Sequence, residues 1–437
     1  MTRGSEPFLR AIRGAHRWAL GRVIRLAGRR SGGSLLDRLP PASQLPLLRE
    51  GLDPVPELAD LRQRTPISRL ALPLGLRGWL VTGYQEVRTV LSDTEGFSND
   101  FRNLVGVGAL AADQDPGGLG MLDPPDHTRL RRLVGPEFTV HRLARLAPFI
   151  EDVVTTCLDE MADAAAAAPA APVDLVPAFA VPIPALTISA VLGIAPEERD
   201  EFMSHCGARF DVAGGIGESL GTITSSLDYL RGIVAAQRTT PGDGLLGRIL
   251  TDHSDEVTDA ELAGLADGVL TGGFESTAST LALAAIVLSR DDEARRVMRE
   301  GEAPAVAALV DELLRYLTVV QVAFPRFARR RVEVGDVVIE TGDVVVCSLS
   351  AANRDPRVGP GLDGIRLTPA EASHLAFGHG VHRCVGAELA RLELRIALPA
   401  LFRRFPDLAV AQDTPSFRGL SVVFGVDALP VTVKPDR

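Results

Sequence analysis

The segment Phe377-Gly378-His379-Gly380-Val381-His382-Arg383-Cys384-Val385-Gly386-Ala387-Glu388-Leu389-Ala390 says more than the rest of the chain together. One cysteine stands between a glycine-bracketed turn and a helix start. The glycines let the backbone bend tightly and come close to a flat ligand. At a helix N-terminus a thiolate is stabilised by unpaired N–H groups and by the helix dipole. A single thiolate held in this way suits the axial position of a haem iron.

Working outward, Thr258-Asp259-Ala260-Glu261 is a capping-box pattern. It opens a mostly apolar stretch to about Leu288, which predicts a helix about 45 Å long. Inside it lies Thr271-Gly272-Gly273-Phe274-Glu275-Ser276-Thr277. Two glycines and a carboxylate are locally unfavourable in an apolar helix. Such conflicts are expected where function overrides propensity. The glycines would let the helix approach or bend over a ligand.

The cysteine segment, in the form Phe-Gly-x-Gly-x-His-x-Cys-x-Gly-x-x-Leu-Ala, resembles the haem-ligand loop of the cytochrome P450 family. The alternative, a small-residue turn around a structural cysteine, leaves too many specified positions unexplained. The resemblance implies a mainly α fold with small β-sheets in one large domain. It also implies haem b as cofactor, with Cys384 ligating the iron and Phe377, His382 and Gly386 contacting the group. The 271–277 heptad resembles the family's oxygen-binding groove, which places Gly272 against the haem. Carried over, Glu275 is the proton-relay acid and Ser276 the oxygen-side alcohol, with Thr277 a third catalytic residue. The family prefers threonine at Ser276; serine keeps the hydroxyl but loses the β-branch that fixes its rotamer.

Haem carboxylates need cationic or hydrogen-bonding partners. In Asp123-Pro124-Pro125-Asp126-His127-Thr128-Arg129-Leu130-Arg131, His127 and Arg131 fall four apart on one helix face. By resemblance they meet the propionates, with Arg326 and His382 as further partners. Glu312-Leu313-Leu314-Arg315 resembles the family's Glu-x-x-Arg, and Arg354 is expected to complete that buried charge cluster. Substrate-lining residues are expected at Phe101 to Gly120, Asp211 to Gly221, Thr271, Val322 to Phe324, and Val422 to Val423. These segments are apolar or small, which suits a lipophilic small molecule. Gly106-Val107-Gly108 and Gly117-Gly118 suggest a mobile entrance.

Composition agrees. The chain has 437 residues, 46% of them hydrophobic, enough for a large core. A net charge of −10 suggests no nucleic-acid partner. Cys157, Cys206, Cys347 and Cys384 form no Cys-x-x-Cys pair, and with no secretory leader evident a reducing cytoplasm fits. No apolar run reads as a clean bilayer span, so no transmembrane anchor is expected. Residues 1–30 hold eight arginines against the single acid Glu6. They read either as a basic amphipathic helix on an anionic surface or as a frayed tail. The expected division is a basic extension over 1–49 and the P450 domain over 50–437.

The function implied by the resemblance is a soluble bacterial monooxygenase, expected as a monomer. It inserts one atom of O2 into a lipophilic substrate, by hydroxylation or epoxidation, in secondary metabolism. No flavin or iron–sulfur domain is fused, so electrons come from a separate ferredoxin and ferredoxin reductase. Arg132, Arg142, Arg383, Arg391 and Arg395 are expected on the docking side. Ser276 is the hint for an alternative, oxidative coupling or peroxide-driven chemistry on the same haem. A haem carrier or sensor is the non-enzymatic alternative.

Overall fold

The computed structural model describes residues 40–72, 76–100, 118–210, 216–367 and 373–434, with the side chains of 207–224 excepted. The basic segment 1–30, the glycines at 106, 108 and 117, and the side chains of Asp211 to Gly221 lie outside the described residues.

Five helices position the site: α1 (Asp126–Val134), α2 (Pro182–Leu192), α3 (Asp259–Arg290), α4 (Ala303–Leu317) and α5 (Ala387–Arg404). The capping box opens α3 as expected. Glu261 N–H donates to Thr258 Oγ1 at 3.2 Å, and Thr258 N–H donates to Glu261 Oε2 at 2.9 Å. The helix ends where Asp291 turns to cap the following helix through the N–H groups of Glu293 and Ala294. Among the described residues α3 alone is long and apolar enough, by length and composition, to cross a bilayer. Most of its apolar side chains are buried inside the protein: those from Leu281 to Leu288 pack with α4 and α5 in one core cluster, and those from Leu262 to Phe274 pack with α2 in a second.

The larger sheet has the order β1-β2-β5-β4-β3, from β1 (Ile67–Ala71), β2 (Arg77–Val81), β3 (Phe97–Ser98), β4 (Arg326–Ala328) and β5 (Val344–Cys347). The β2/β5 pair is parallel and the others are antiparallel. Register sets Val345 opposite both Trp79 and Arg326, so the sheet fixes where Arg326 emerges. A hairpin around Gly335 pairs Val332–Val334 with Val337–Ile339, and Gly335 takes φ +54°. These elements give the mainly α architecture with small sheets.

Two expectations are corrected here. Residues 40–49 pack into the body, with Ser43 and Leu47 buried. Arg49 donates to Gln321 Oε1 at 2.6 Å and to the carbonyls of Leu52, Leu317 and Thr318. The folded body therefore begins at or before residue 40, not at 50. The second concerns the buried charge cluster. Arg315 grips Glu312 in a two-pronged pair at 2.7 and 2.8 Å and donates to the carbonyls of Asn353, Leu362 and Gly364. Arg354 instead bonds Asp53, the Tyr316 carbonyl and the Asp363 carbonyl. The third member at Glu312 is Arg366, whose backbone N–H donates at 2.8 Å. Losing one partner of such a buried pair costs about 3–5 kcal/mol, so the cluster pins the fold.

Candidate functional site

The Cys384 turn is built as its glycines require. Gly378 and Gly380 take φ of +69° and +74°. A Cβ on Gly380 would also meet the Leu91 carbonyl at 2.4 Å. Cys384 N–H donates to Phe377 O at 2.9 Å, and Gly386 N–H bonds the thiol. A Cβ on Gly386 would reach Phe138 and Cys384 only at ordinary contact distance, so its N–H matters more than its size. The guanidinium of Arg391 lies 4.8 Å from the centre of the Phe377 ring.

Cys384 differs from the other described cysteines. Cys157, Cys206 and Cys347 are buried, whereas Cys384 is exposed. Yet burial raises its thiol pKa, with the Gly386 N–H, Arg131, Arg383 and Arg391 pulling the other way. Both facts fit a thiol that solvent can touch although protein surrounds it. A cation at that spot would favour the thiolate.

On α3, Thr271 and Gly272 are exposed and Glu275 and Ser276 half-buried, in a helix otherwise packed on nearly all sides. At 100° per residue these positions share one face. Thr277 turns away from it and is 3% exposed, so the structure does not bring Thr277 to the site. The two glycines have opposite roles. A Cβ on Gly272 would meet nothing within 4 Å, whereas one on Gly273 would meet Ile188 Cδ1 of α2 at 2.5 Å. Gly272 thus leaves the face flat, and Gly273 lets two helices close on each other. Ser276 Oγ donates to Gly272 O at 2.8 Å. Glu275 Oε1 accepts from Arg418 at 2.8 Å. Burial raises the Glu275 carboxyl above its ordinary value, Arg418 opposes this, and Asp427 adds to it.

The four predicted carboxylate-binding residues converge. The rings of His127 and His382 pack together, and His127, Arg131 and Arg326 all act electrostatically on His382. Burial, then these neighbours, pushes His382 down to about 3; burial, then Arg131, lowers His127. His127 is 2% exposed, and neither of its ring nitrogens has a hydrogen-bond partner, nor has His382 Nδ1. Buried polar nitrogens without partners are costly. The nearby Asp123 does not serve them. It accepts from Ser98 Oγ, Asn99 N–H and Arg329, which outweigh burial and hold its carboxyl below the ordinary range. Arg326 is buried and steadied by Asn99 Oδ1 and Phe324 O. Two guanidinium groups and two imidazoles thus gather with no carboxylate hydrogen-bonded to them among the described residues, and Asp123 acts on them only at a distance. A flat group carrying carboxylates and an iron facing Cys384 fits these residues.

Apolar surface is present for a substrate. Phe324 is 53% and Val422 43% exposed, and a Cβ on Gly120 would strike the Phe324 ring at 2.9 Å. The expected basic docking face is largely neutralised within the protein. Arg132 pairs with Glu256, Arg142 with Glu137, and Arg391 with Asp311 and Glu388. Arg395 donates to the Arg391 carbonyl. Arg383 is exposed and has no carboxylate partner among the described residues.

Sequence reasoning missed Arg418, Asn99 and Arg366. Arg418 had no local signal; only the need of a half-buried carboxylate for a counter-charge pointed to such a residue. Sequence reading also missed Glu393 on α5, which is fully buried beside Thr187, with Oε1 unpartnered.

The cytochrome P450 family model matches residues 237–361 and 362–426. Cytochrome P450 165B3 of Amycolatopsis orientalis is 36% identical over 395 residues, 89% of this chain and 98% of the relative. The solved structure of P450 StaH, from biosynthesis of the glycopeptide antibiotic A47934, is 39% identical with a TM-score of 0.80. The match spans 89% of this chain and 99% of StaH. OxyC, a cytochrome P450 implicated in an oxidative C–C coupling reaction during vancomycin biosynthesis, is 34% identical with a TM-score of 0.79, over 88% of this chain and 96% of its own.

Proposed function

Since the chain belongs to the cytochrome P450 family and is a P450 monooxygenase, we propose that it binds haem b at Cys384 and oxidises a lipophilic small molecule of secondary metabolism. Electrons come from a separate ferredoxin and its reductase, and the protein acts as a cytoplasmic monomer. The observation that carries the reading is the cluster of His127, Arg131, Arg326 and His382, with no carboxylate hydrogen-bonded to it among the described residues, beside the exposed Cys384 thiol.

Bound haem supplies an iron at which dioxygen is reduced and cleaved, with the thiolate donating electron density. The chain's own residues do the rest. His127, Arg131, Arg326 and His382 bind the carboxylates and set the plane of the group. Gly272 lets that group lie against α3, because no side chain stands in the way. Ser276 Oγ now gives its hydrogen to Gly272 O; turning outward, it presents the hydroxyl to the open space. Glu275 carries protons at its carboxylate, a positioned acid–base role. Phe324 and Val422 line the substrate side and exclude water from it.

A second reading is oxidative coupling, in which two sites of one substrate are joined without retained oxygen. The likeness to OxyC and the serine at 276 favour it. Two measurements test these readings. Reduced protein with carbon monoxide should show the red-shifted Soret band of a thiolate–haem, and Cys384→Ser should abolish it. Persistence of that band in Cys384→Ser, or its loss on substituting Cys157, Cys206 or Cys347 instead, sinks the assignment. Turnover under labelled dioxygen then separates insertion, which retains the label in the product, from coupling, which does not.

A further inference from the structure

Glu275 is tied to a part of the chain that is far from it in sequence. Its carboxylate accepts from Arg418 Nη1 at 2.8 Å. Arg418 Nε also reaches Asp427 Oδ1 at 2.5 Å. One cation therefore serves two carboxylates of different character. Glu275 lies on the site face of α3, and burial raises its proton affinity. Asp427 is 76% exposed, whereas the Arg418 side chain between them is only 10% exposed.

The segment that carries Arg418 is fixed at its base. Phe417 and Val426 form an antiparallel bridge, and Arg418 N–H donates to Gly425 O at 2.9 Å. Val423 bridges Val320, and Phe424 N–H donates to Val319 O at 2.7 Å. Gly425 sits so close to α3 that a Cβ there would lie 2.6 Å from Ser279 Oγ. The turn of the same hairpin bears Val422, exposed on the expected substrate side. One short hairpin therefore carries both an apolar surface for the substrate and the counter-ion of the acid.

While Arg418 holds it, Glu275 is kept as a carboxylate, with one oxygen occupied. Such an acid cannot pick up and pass on a proton. Release leaves Arg418 in need of another anion, and Asp427 already supplies one at solvent-exposed cost. We propose that Arg418 is the positioning residue that governs the distal acid. It holds Glu275 as an ion-paired carboxylate, and loosening of that pair in favour of Asp427, which Arg418 already contacts, frees the acid. The inference rests on Glu275 being the proton-carrying acid.

The test uses the holoenzyme and two readouts. The first is the pH midpoint of the Glu275 carboxylic C=O band in infrared difference spectra, assigned by its loss in Glu275→Gln. Removing a cation at this distance moves a carboxyl by about 1–3 pH units. Arg418→Gln should therefore raise the midpoint by about one unit or more, and Arg418→Lys should largely restore it. Asp427→Asn should lower it, since Asp427 repels the Glu275 charge and competes for Arg418. The second readout is peroxide released per NAD(P)H in substrate-free enzyme fed by a plant-type ferredoxin and its reductase. It should change in Glu275→Gln, and the Arg418→Gln change should be reversed by Arg418→Lys. A midpoint indifferent to Arg418→Gln, or an upward shift in Asp427→Asn, overturns the role of Arg418 and leaves Glu275 as the acid. Unaltered peroxide yield in Glu275→Gln removes the acid itself, and the inference with it. Arg418→Lys keeps the charge and Asp427→Asn the shape of the original, so the test survives if Arg418→Gln does not fold.

Discussion

The imidazole rings of His127 and His382 lie 4.2 Å apart between centroids at an interplanar angle of 53°, although one comes from α1 and the other from the turn before Cys384. Neither His127 nitrogen has a partner in the protein. On the proposed reading, a haem carboxylate would supply the acceptor. His127→Phe should keep the fold, because the site is closed and partly apolar, but leave a haem carboxylate short of one donor. One charge-assisted hydrogen bond contributes about 1.5–3 kcal/mol, so haem should leave about 10–100-fold faster. Transfer of haem to apomyoglobin measures the rate. Equal rates in wild type and variant would exclude His127 from the cofactor site.

Ser276 and Thr277 are neighbours with opposite surroundings. Ser276 is half-buried on the site face, and Thr277 is turned inward. Ser276→Ala should preserve haem binding while product per NAD(P)H falls by about tenfold or more and peroxide rises, as expected for loss of a positioned proton donor. Ser276→Thr should be tolerated, since the β-branch stiffens the rotamer without removing the hydroxyl. Thr277→Val should leave the ratio unchanged. A larger effect at 277 than at 276 would reverse the assignment.

Glu393 makes a prediction about stability and pH. Full burial pushes its carboxyl from 4.5 up to about 8, with a Thr187 hydrogen bond only partly opposing. Between these two values the folded protein holds a proton that the unfolded chain releases. The Glu393 contribution is thus fully favourable below about pH 4.5, weakens as pH rises through the window, and is flat above about 8. The slope within the window is at most about 1.4 kcal/mol per pH unit. Glu393→Gln keeps the shape and removes the proton. Its stability relative to wild type should therefore grow from pH 5 to pH 8 in urea melts. A difference that does not vary with pH would mean that Glu393 is already ionised in the fold.

Partner docking should depend on one arginine more than the rest. Arg391 and Arg142 are committed to internal carboxylates, and Arg383 is exposed without one. Arg383→Glu should slow reduction by an acidic ferredoxin several-fold at low ionic strength, and the gap should close as salt rises. Arg391→Glu should instead lower thermal stability, because it sets a third acid beside Asp311 and Glu388. Stopped-flow reduction and melting curves distinguish the two. A salt-independent rate in both would place docking elsewhere.

What was readable in the sequence was what is encoded locally. The Cys384 turn, the α3 capping box and the His127/Arg131 spacing each occupy a few consecutive residues, and backbone geometry converts that spacing into position. Arg326 was placed by its motif, and the sheet register accounts for it. The misreadings all concern contacts that chain distance hides. Arg354 follows a recognisable motif, yet the cation at Glu312 is Arg366, because the loop from Asn353 to Gly364 wraps around Arg315. Arg418 reaches Glu275 only through the C-terminal hairpin. Thr277 is turned from the face shared by Glu275 and Ser276 because one further residue along a helix rotates the side chain by 100°.

Adjacent glycines on α3 divide the molecule's tolerance for change. At 273 a side chain would meet the Ile188 Cδ1 methyl of α2, so Ile188 would have to shift. At 272 a methyl group would meet no other part of the protein, but it would stand on the face against which the proposed haem lies. A substitution at 272 is therefore felt by the cofactor, and one at 273 by the seam between two helices.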